Sequence, residues 1–231
     1  MSLSGLAACV EARRPLRIVI SAGPTREPID PVRFLSNYST GYMGSRLAAE
    51  ALIRGHRVTV VSGPSVEPLP AGARRITVET AREMEGALRG QATRADVVIM
   101  AAAVADFRPV RAASRKLPRR AQLHLTLEAT PDIIARLPRR TRQVVVGFAL
   151  ETHDVLSNAR RKLHTKRLDL LVAQRVNGQG IPFGRRAIDA WLLERGGVVT
   201  RLGRVSKSRV VRVLLDKIER LWYGQQESDH T

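Results

Sequence analysis

The sequence predicts an α/β fold: a doubly wound, Rossmann-like, mostly parallel sheet with helices on both faces. Three observations predict it. Short apolar runs of strand length alternate with segments of helical periodicity. One run, 96–103, is almost continuously apolar, as a central strand covered on both faces must be. The chain has 231 residues, 44% of them hydrophobic, enough for one large core. Strands alternating with helices pair in parallel, because a parallel connection needs a crossover.

Taken in order, residues 16–23 read as a buried first strand. A helix over 41–54 places Met43, Leu47, Ala48, Ala51 and Leu52 on one side, and Gly55 stops it. The Val-rich strand 56–62 closes at Gly63-Pro64; a short strand at 75–78 leads into a helix at 81–91. Beyond the central run, 123–127 alternates as a partly exposed strand, and Pro131 opens a helix over 131–137 with Thr130 as N-cap. A strand at 144–148, a helix at 155–167 and a strand at 168–173 follow. Residues 187–193 and 198–202 form a hairpin about Gly196-Gly197, and a helix over 207–222 closes the fold. The expected organisation is an N-terminal extension (1–15), a single domain (16–224) and a short tail (225–231).

Charge is the anomaly. Lys and Arg number 39 against 21 Asp and Glu, a net charge of +18, yet only five of the cations are lysines: Lys116, Lys162, Lys166, Lys207 and Lys217. Aromatic residues are 4%, too few for a stacking surface on RNA. One cysteine, Cys9, rules out an internal disulfide framework, and the five histidines have no metal-ligand spacing. No apolar run reaches the length of a membrane span, and the first residues lack the pattern of a signal peptide, so the expected compartment is the cytoplasm. Most of the arginine reads as surface composition that steers anions.

In doubly wound sheets, ligands sit beyond the carboxyl ends of the strands. That rule selects the loops after Gly23, Ala103, Phe148 and Ala173. The first is long, polar and rich in Gly and Pro, and loops of that kind in compact domains are usually functional. Its Ser39-Thr40-Gly41 precedes a helix, where backbone N–H groups can meet an anion or simply cap the helix. No G-x-G-x-x-G follows the first strand and Arg46 stands where a Y-x-x-x-K pattern needs lysine, so a nicotinamide oxidoreductase is disfavoured. Asp106, charged directly after an apolar run, is hard to explain by packing. On residue type alone, Asn37 is equally a turn residue, Lys116 a solvated basic loop residue and Phe148 a core aromatic.

The segment Ala22-Gly23-Pro24-Thr25-Arg26-Glu27-Pro28-Ile29-Asp30-Pro31-Val32-Arg33, with Ser36-Asn37-Tyr38-Ser39-Thr40-Gly41, resembles the opening of phosphopantothenoylcysteine synthetase, the phosphopantothenate–cysteine ligase of coenzyme A synthesis. The likeness continues through Val61-Ser62-Gly63-Pro64, Ala101–Phe107, Thr130-Pro131-Asp132-Ile133, Val146–Thr152 and Lys162 with Lys166. It implies a Rossmann-like dimer that activates the carboxylate of 4'-phosphopantothenate with CTP, or ATP in eukaryotic relatives, and then couples it to cysteine. Magnesium would ride on the triphosphate.

By this resemblance Asn37 stabilises the acyl-phosphate intermediate and Lys116, on a lid, reaches the triphosphate. Gly23, Ser39, Gly41, Ala102, Ala103, Asp106, Asp132, Ile133, Ile134, Ala135, Phe148, Lys162 and Lys166 hold the nucleotide. Three of five lysines fall at these positions, and a compact ammonium suits a phosphate that changes shape. Many bacterial relatives carry a flavin decarboxylase domain ahead of this one; with residues 1–15 before its first strand, the chain is expected to be a stand-alone ligase with a separate decarboxylase. It departs from the family pattern at Tyr42, Pro118, Gln174-Arg175 and Arg185-Arg186. A nucleotide-binding paralogue of altered activity is the alternative, and a nucleic-acid-binding protein, supported by charge alone, the remoter one.

Overall fold

The computed structural model describes residues 13–176 and 183–227, with side chains as far as 224. Cys9, most of the expected N-terminal extension and the end of the tail lie outside the described residues. The elements are β1 (Arg17–Ala22), β2 (Arg26–Pro28), β3 (Phe34–Ser36), α1 (Tyr42–Ile53), β4 (Arg57–Ser62), β5 (Arg74–Thr77), α2 (Ala81–Ala92), β6 (Val97–Met100), β7 (Phe107–Pro109), β8 (Leu127–Ala129), α3 (Ile133–Arg136), β9 (Val144–Glu151), α4 (Val155–Thr165), β10 (Leu170–Arg175), β11 (Ile188–Glu194), β12 (Val199–Val205) and α5 (Lys207–Glu227).

An eight-stranded sheet runs in the order β12-β11-β10-β9-β6-β1-β4-β5. From β5 to β10 every pairing is parallel; β11 and β12 are antiparallel and close one edge. Strand residues alternate between two apolar layers, as their period of two requires. Ile18, Ile20, Val97, Ile99, Val144 and Val146 face α1 and α5, whose Leu47, Ala51, Val210, Leu214 and Ile218 complete that layer. Val19, Val98, Val145 and Leu171 face α2, α3 and α4, against Met84, Leu88, Ile133, Ala159 and Leu163. Both faces are covered, which is why the strands read as unbroken apolar runs.

The expected doubly wound sheet is therefore present, with shifted boundaries. β9 runs on to Glu151 and α5 to Glu227. Sequence reading missed the hairpins β2–β3 and β7–β8, whose strands are three residues each and carry no apolar alternation. The strand expected at 123–127 is instead β8, Leu127–Ala129, paired with Phe107–Pro109. Thr130 does not cap α3: its hydroxyl donates to the Ala105 carbonyl at 2.5 Å, and Asp132 is the N-cap, accepting from the Ala135 N–H.

Some arginines expected to be surface composition are structural. Arg14 donates through both terminal nitrogens to the buried Asp96 carboxylate, each at 3.1 Å, and lies 4.3 Å from the Trp222 ring. Burial alone would raise the Asp96 pKa, but the hydrogen bonds from Arg14 and the Arg17 N–H outweigh it, and the carboxyl sits below its ordinary range. Arg54 gathers Glu50, Asp216 and Glu219, and so ties α1 to α5.

Two glycines give opposite expectations. A Cβ on Gly63 would lie 1.8 Å from the Pro24 carbonyl oxygen, so Gly63→Ala must push apart the loops after β1 and β4. Gly86, exposed within α2, would place a Cβ in open space. Thermal or urea unfolding should show Gly63→Ala destabilised by about 1–3 kcal/mol and Gly86→Ala stabilised by about 0.5–1 kcal/mol.

Candidate active site

Strand order reverses between β1 and β6: the chain proceeds from β1 outward to β4 and β5, then returns to place β6 on the other side of β1. The loops leaving the carboxyl ends of these two strands must diverge, and a crevice opens there. In this chain the divergence is limited by a backbone zipper. The Ala103 N–H donates to the Gly23 carbonyl at 2.9 Å, the Thr25 N–H to Ala103 at 3.3 Å, and the Ala105 N–H to the Thr25 hydroxyl at 3.0 Å. The Ser21 hydroxyl, in turn, accepts from the Ala102 N–H. Small side chains at 101–103 leave this backbone open from above.

Over it lies a cavity of about 650 Å³. Loops after β1, β6 and β10 contribute to its lining, as do α3, α4 and the start of α5; from β9 it is the strand itself, Gly147 to Leu150, and not a loop after Phe148 as expected, because β9 runs on to Glu151. Of the expected residues, Asn37, Ser39, Gly41, Ala102, Ala103, Asp106, Asp132, Ile133, Ile134, Phe148, Lys162 and Lys166 line it. Gly23, Ala135 and Lys116 are not among the lining residues. Gly23, at φ +75°, supports the zipper from beneath. Ala135 gives its N–H to the Asp132 cap, and Lys116 is exposed.

The first loop is more ordered than its composition indicates. Its hairpin β2–β3 is held to α2 by the buried Glu27, whose carboxylate accepts from the Ala81 N–H. The buried Asp30 accepts from the N–H groups of Val32 and Arg33 and from the Arg33 guanidinium. It also accepts from the Leu117 N–H at 3.1 Å, and Arg33 donates to the Leu117 carbonyl at 3.0 Å. The Lys116 segment is thus docked on the Asp30 turn through its neighbour. Led by the Arg33 hydrogen bond, these contacts hold the Asp30 carboxyl well below the usual carboxylate range.

Asn37 donates both amide hydrogens to backbone, to Ala103 and Val104, at 3.0 Å each. This differs from an amide held ready for a phosphate: here it latches the loop to the zipper. The N–H groups before α1 are likewise partly engaged, Gly41 with the Ser39 hydroxyl at 3.4 Å and Tyr42 with the Thr40 hydroxyl at 3.3 Å. Bonds that long are readily exchanged for an anion. Gly41 is required there: its φ is +83°, and a Cβ would meet the Ser65 hydroxyl at 2.1 Å.

The two lysines of α4 do not stand as a bare repelling pair. Lys166 is the C-cap residue, past the last helical turn. Lys162 pairs with Glu151 at 2.6 Å and Lys166 with Asp132 at 3.4 Å. Phe148 faces the α1/α5 layer, on the opposite side of the sheet from α4, so a ligand touching all three must cross the sheet edge. Sequence reading passed over Lys207, the first residue of α5. It is only 5% exposed, lines the cavity, and burial draws its ammonium below the ordinary lysine range. Three of the five lysines do meet at one site, but the third is Lys207 and not Lys116. The departures Tyr42 and Arg185 meet as well: the Arg185 guanidinium is 5.8 Å from the Tyr42 ring and 3.8 Å from Glu67.

An open parallel sheet with a cavity across its switch point defines a Rossmann-like α/β protein that takes its ligand beyond the carboxyl ends of the strands. A family model described as the DNA/pantothenate metabolism flavoprotein C-terminal domain matches residues 14–221, and the chain belongs to that family. It is 47% identical over 171 residues to the coenzyme A biosynthesis bifunctional protein CoaBC of Vibrio vulnificus, covering 72% of this chain and 43% of that protein. It is 38% identical over 206 residues to a cysteine/cysteine sulfinic acid decarboxylase of an unknown prokaryotic organism, covering 87% of this chain and 57% of the other. The crystal structure of a CoaBC C-terminal domain superposes with a TM-score of 0.74 at 35% identity, covering 89% of this chain and 95% of that one. The chain spans about half the length of the curated relatives it matches.

The Asp30 tether gives a direct expectation. Asp30→Asn should speed amide hydrogen exchange at Ala113 and Leu117 and trypsin cleavage at Arg115 and Lys116, while exchange in β1 and β6 stays unchanged. Because the folded pKa of Asp30 is depressed, the wild-type tether persists at every pH above the ordinary carboxylate value of about 3.9. It is lost only as pH falls further, through the depressed value.

Proposed function

We propose that the chain is a ligase that joins 4'-phosphopantothenate to cysteine through an acyl-nucleotide formed from CTP. One observation carries the reading. A single cavity brings together a helix start with exchangeable N–H groups, an open small-residue backbone, an aromatic and three lysines, which is what two phosphorylated reactants need to share one site. The name of the Vibrio relative and the motif resemblance agree with it.

In the proposed reaction a carboxylate oxygen of phosphopantothenate attacks the α-phosphorus of CTP and pyrophosphate departs. The amine of cysteine then attacks the acyl carbon, loses a proton and expels CMP, which keeps the former carboxylate oxygen. No protein nucleophile is required; the chain must orient two anions and counter charge on the phosphates. Lys162 and Lys166 are suited to the triphosphate, provided phosphate oxygens take over from Glu151 and Asp132. Phe148 offers its face to the base and Asp106 an acceptor to the ribose or base. Asn37 trades one of its two backbone bonds for the acyl-phosphate. A divalent ion would come with the nucleotide: among the described residues no group of three or more His, Cys, Asp or Glu side chains is placed to hold one.

The hairpins β2–β3 and β7–β8 and the segment between β7 and β8 expose Phe34, Phe107, Val110, Leu123, Leu125 and Leu127 together with Val32 and Tyr38. We assign this face to a homodimer, as the family resemblance implies; sedimentation of Phe107→Glu as a monomer, against a wild-type dimer, is the expected result.

Pyrophosphate release with CTP or ATP, phosphopantothenate and cysteine tests the activity. Sustained release that requires all three reactants, limited to about one equivalent per site when cysteine is left out, and faster with CTP, is expected. No release with either nucleotide would overturn the ligase reading, and CO₂ release from cysteine in its place would favour the decarboxylase named for one relative. In the same assay Asn37→Asp should lower turnover by about a hundredfold or more while nucleotide affinity changes far less.

A further inference from the structure

We propose that the amino ends of β9 and β10 carry a second oxyanion site, built from Arg139, Arg167 and Arg195, that takes a phosphate dianion, free or as the monoester of a small molecule. None of the three arginines lines the cavity, and the site stands whether or not the ligase reading holds. Adjacent loops supply it. The Asp169 N–H donates to the Val145 carbonyl and the Arg195 N–H to the Asp169 carbonyl, each at 2.9 Å. The turn before β10 therefore lies between the start of β9 and the end of β11.

The backbone gives the first sign. Helices α1 and α4 end by the same three hydrogen bonds: the N–H groups of 54, 55 and 56 donate to the carbonyls of 50, 52 and 51, and those of 166, 167 and 168 to 162, 164 and 163. A helix that ends in this way puts the residue past its cap in the left-handed region. In α1 that residue is Gly55, at φ +80°; in α4 it is Arg167, at φ +51°. Arginine is strained there and glycine is not. Arg142, in the neighbouring loop, repeats the choice at φ +63°. Backbone conformation alone would select glycine at 167, so the arginine is kept for its side chain.

The other two guanidiniums are already fixed. Arg139 donates to the Lys166 carbonyl at 2.9 Å, and Arg195 to the carbonyls of Leu168, at 3.1 Å, and Arg167. These bonds cap α4, but they use only part of the five donors on each fork, and both residues are exposed. The direction of each fork is thus set before a ligand arrives, which lowers the ordering cost of binding. Asp169 is the acid of the group: its Oδ1 lies 3.3 Å from Arg195, while its Oδ2 accepts from the Val145 N–H at 2.7 Å. Three positive charges against one leave an excess of two, close to what a phosphate monoester carries near pH 7. Burial, with Arg195 and Arg167 nearby, outweighs Asp169 and draws the Arg139 guanidinium below the ordinary arginine range. An anion among the three would relieve that repulsion. The group is compact, as one phosphate requires, and does not form the stripe that tracks a nucleic-acid backbone.

Titration with inorganic phosphate, followed by ¹⁵N NMR of the arginine side chains at an ionic strength held constant with sodium chloride, reads this site directly. The guanidinium signals of Arg139 and Arg195 should shift saturably. Glycerol 3-phosphate should give the same shifts if the site accepts a monoester; shifts with inorganic phosphate alone would restrict it to the free ion. Arg167→Gly should weaken phosphate by about tenfold or more and yet melt about 1–4 °C higher, because the strained residue is gone. Lost affinity in a more stable protein separates binding from folding. Lys162→Met should leave the shifts unchanged. The site is overturned if wild type shows no saturable shift, or if Arg167→Gly binds phosphate within about threefold of wild type. Shifts abolished by Lys162→Met would move the phosphate into the cavity, and shifts that follow a DNA duplex but not phosphate would give the cluster to nucleic acid; either result contradicts the proposal.

Discussion

The site depends on the backbone zipper between residues 21–25 and 101–105. A parallel sheet opens a crevice wherever strand order reverses, and the loops on its two sides have no reason to keep a fixed separation. Here the N–H groups of Ala102, Ala103 and Ala105 are drawn to the Ser21 hydroxyl, the Gly23 carbonyl and the Thr25 hydroxyl, and Asn37 adds two bonds to the carbonyls of Ala103 and Val104. The first loop thereby becomes one wall of a defined cavity. Glycine at 63 and alanines at 101–103 follow from this, since any larger group would hold the two strands of the zipper apart or cover it. Glu27 and Asp30 extend the order outward, the first to α2 and the second to the Lys116 segment.

The charge of +18 divides by residue type. Arginine, with its planar fork, serves geometry: Arg14 clamps Asp96 and covers Trp222, Arg54 ties α1 to α5, and Arg33 braces Asp30. Lysine, scarce in this chain, is concentrated at the cavity, where three of five side chains reach the lining. Two of these carry their own carboxylates, Glu151 and Asp132. Charge is thus neutralised in advance at these two positions, and the anionic ligand proposed above would enter by exchanging partners instead of filling an exposed positive pit.

The parallel core was legible in the sequence because both its faces are covered: runs such as Val97-Val98-Ile99-Met100 have no solvent side to interrupt them. Their carboxyl ends were legible for the same reason, and with them most of the cavity. The short hairpins were not, because three-residue strands such as Arg26-Glu27-Pro28 are fixed by partners distant in sequence, Glu27 by Ala81 and the turn by Leu117. Thr130 was misread as a cap because a hydroxyl has several acceptors within reach, and only the fold shows that Ala105 takes it. Lys207 looked like any basic residue opening an amphipathic helix. Its place in the cavity lining became visible once α5 was seen to begin there. The pairing of Tyr42 with Arg185 was likewise hidden, since each is an isolated departure until the β10–β11 loop brings them together.

The central claim is that the cavity holds a carboxylate against the α-phosphorus of a nucleotide. Oxygen-isotope transfer tests it most directly: the reaction is run with phosphopantothenate labelled with ¹⁸O in its carboxylate, and the products are resolved by ³¹P NMR or mass spectrometry. The account predicts one labelled oxygen in CMP and none in pyrophosphate. Label in pyrophosphate or inorganic phosphate, or product formed with no label in CMP, would contradict it.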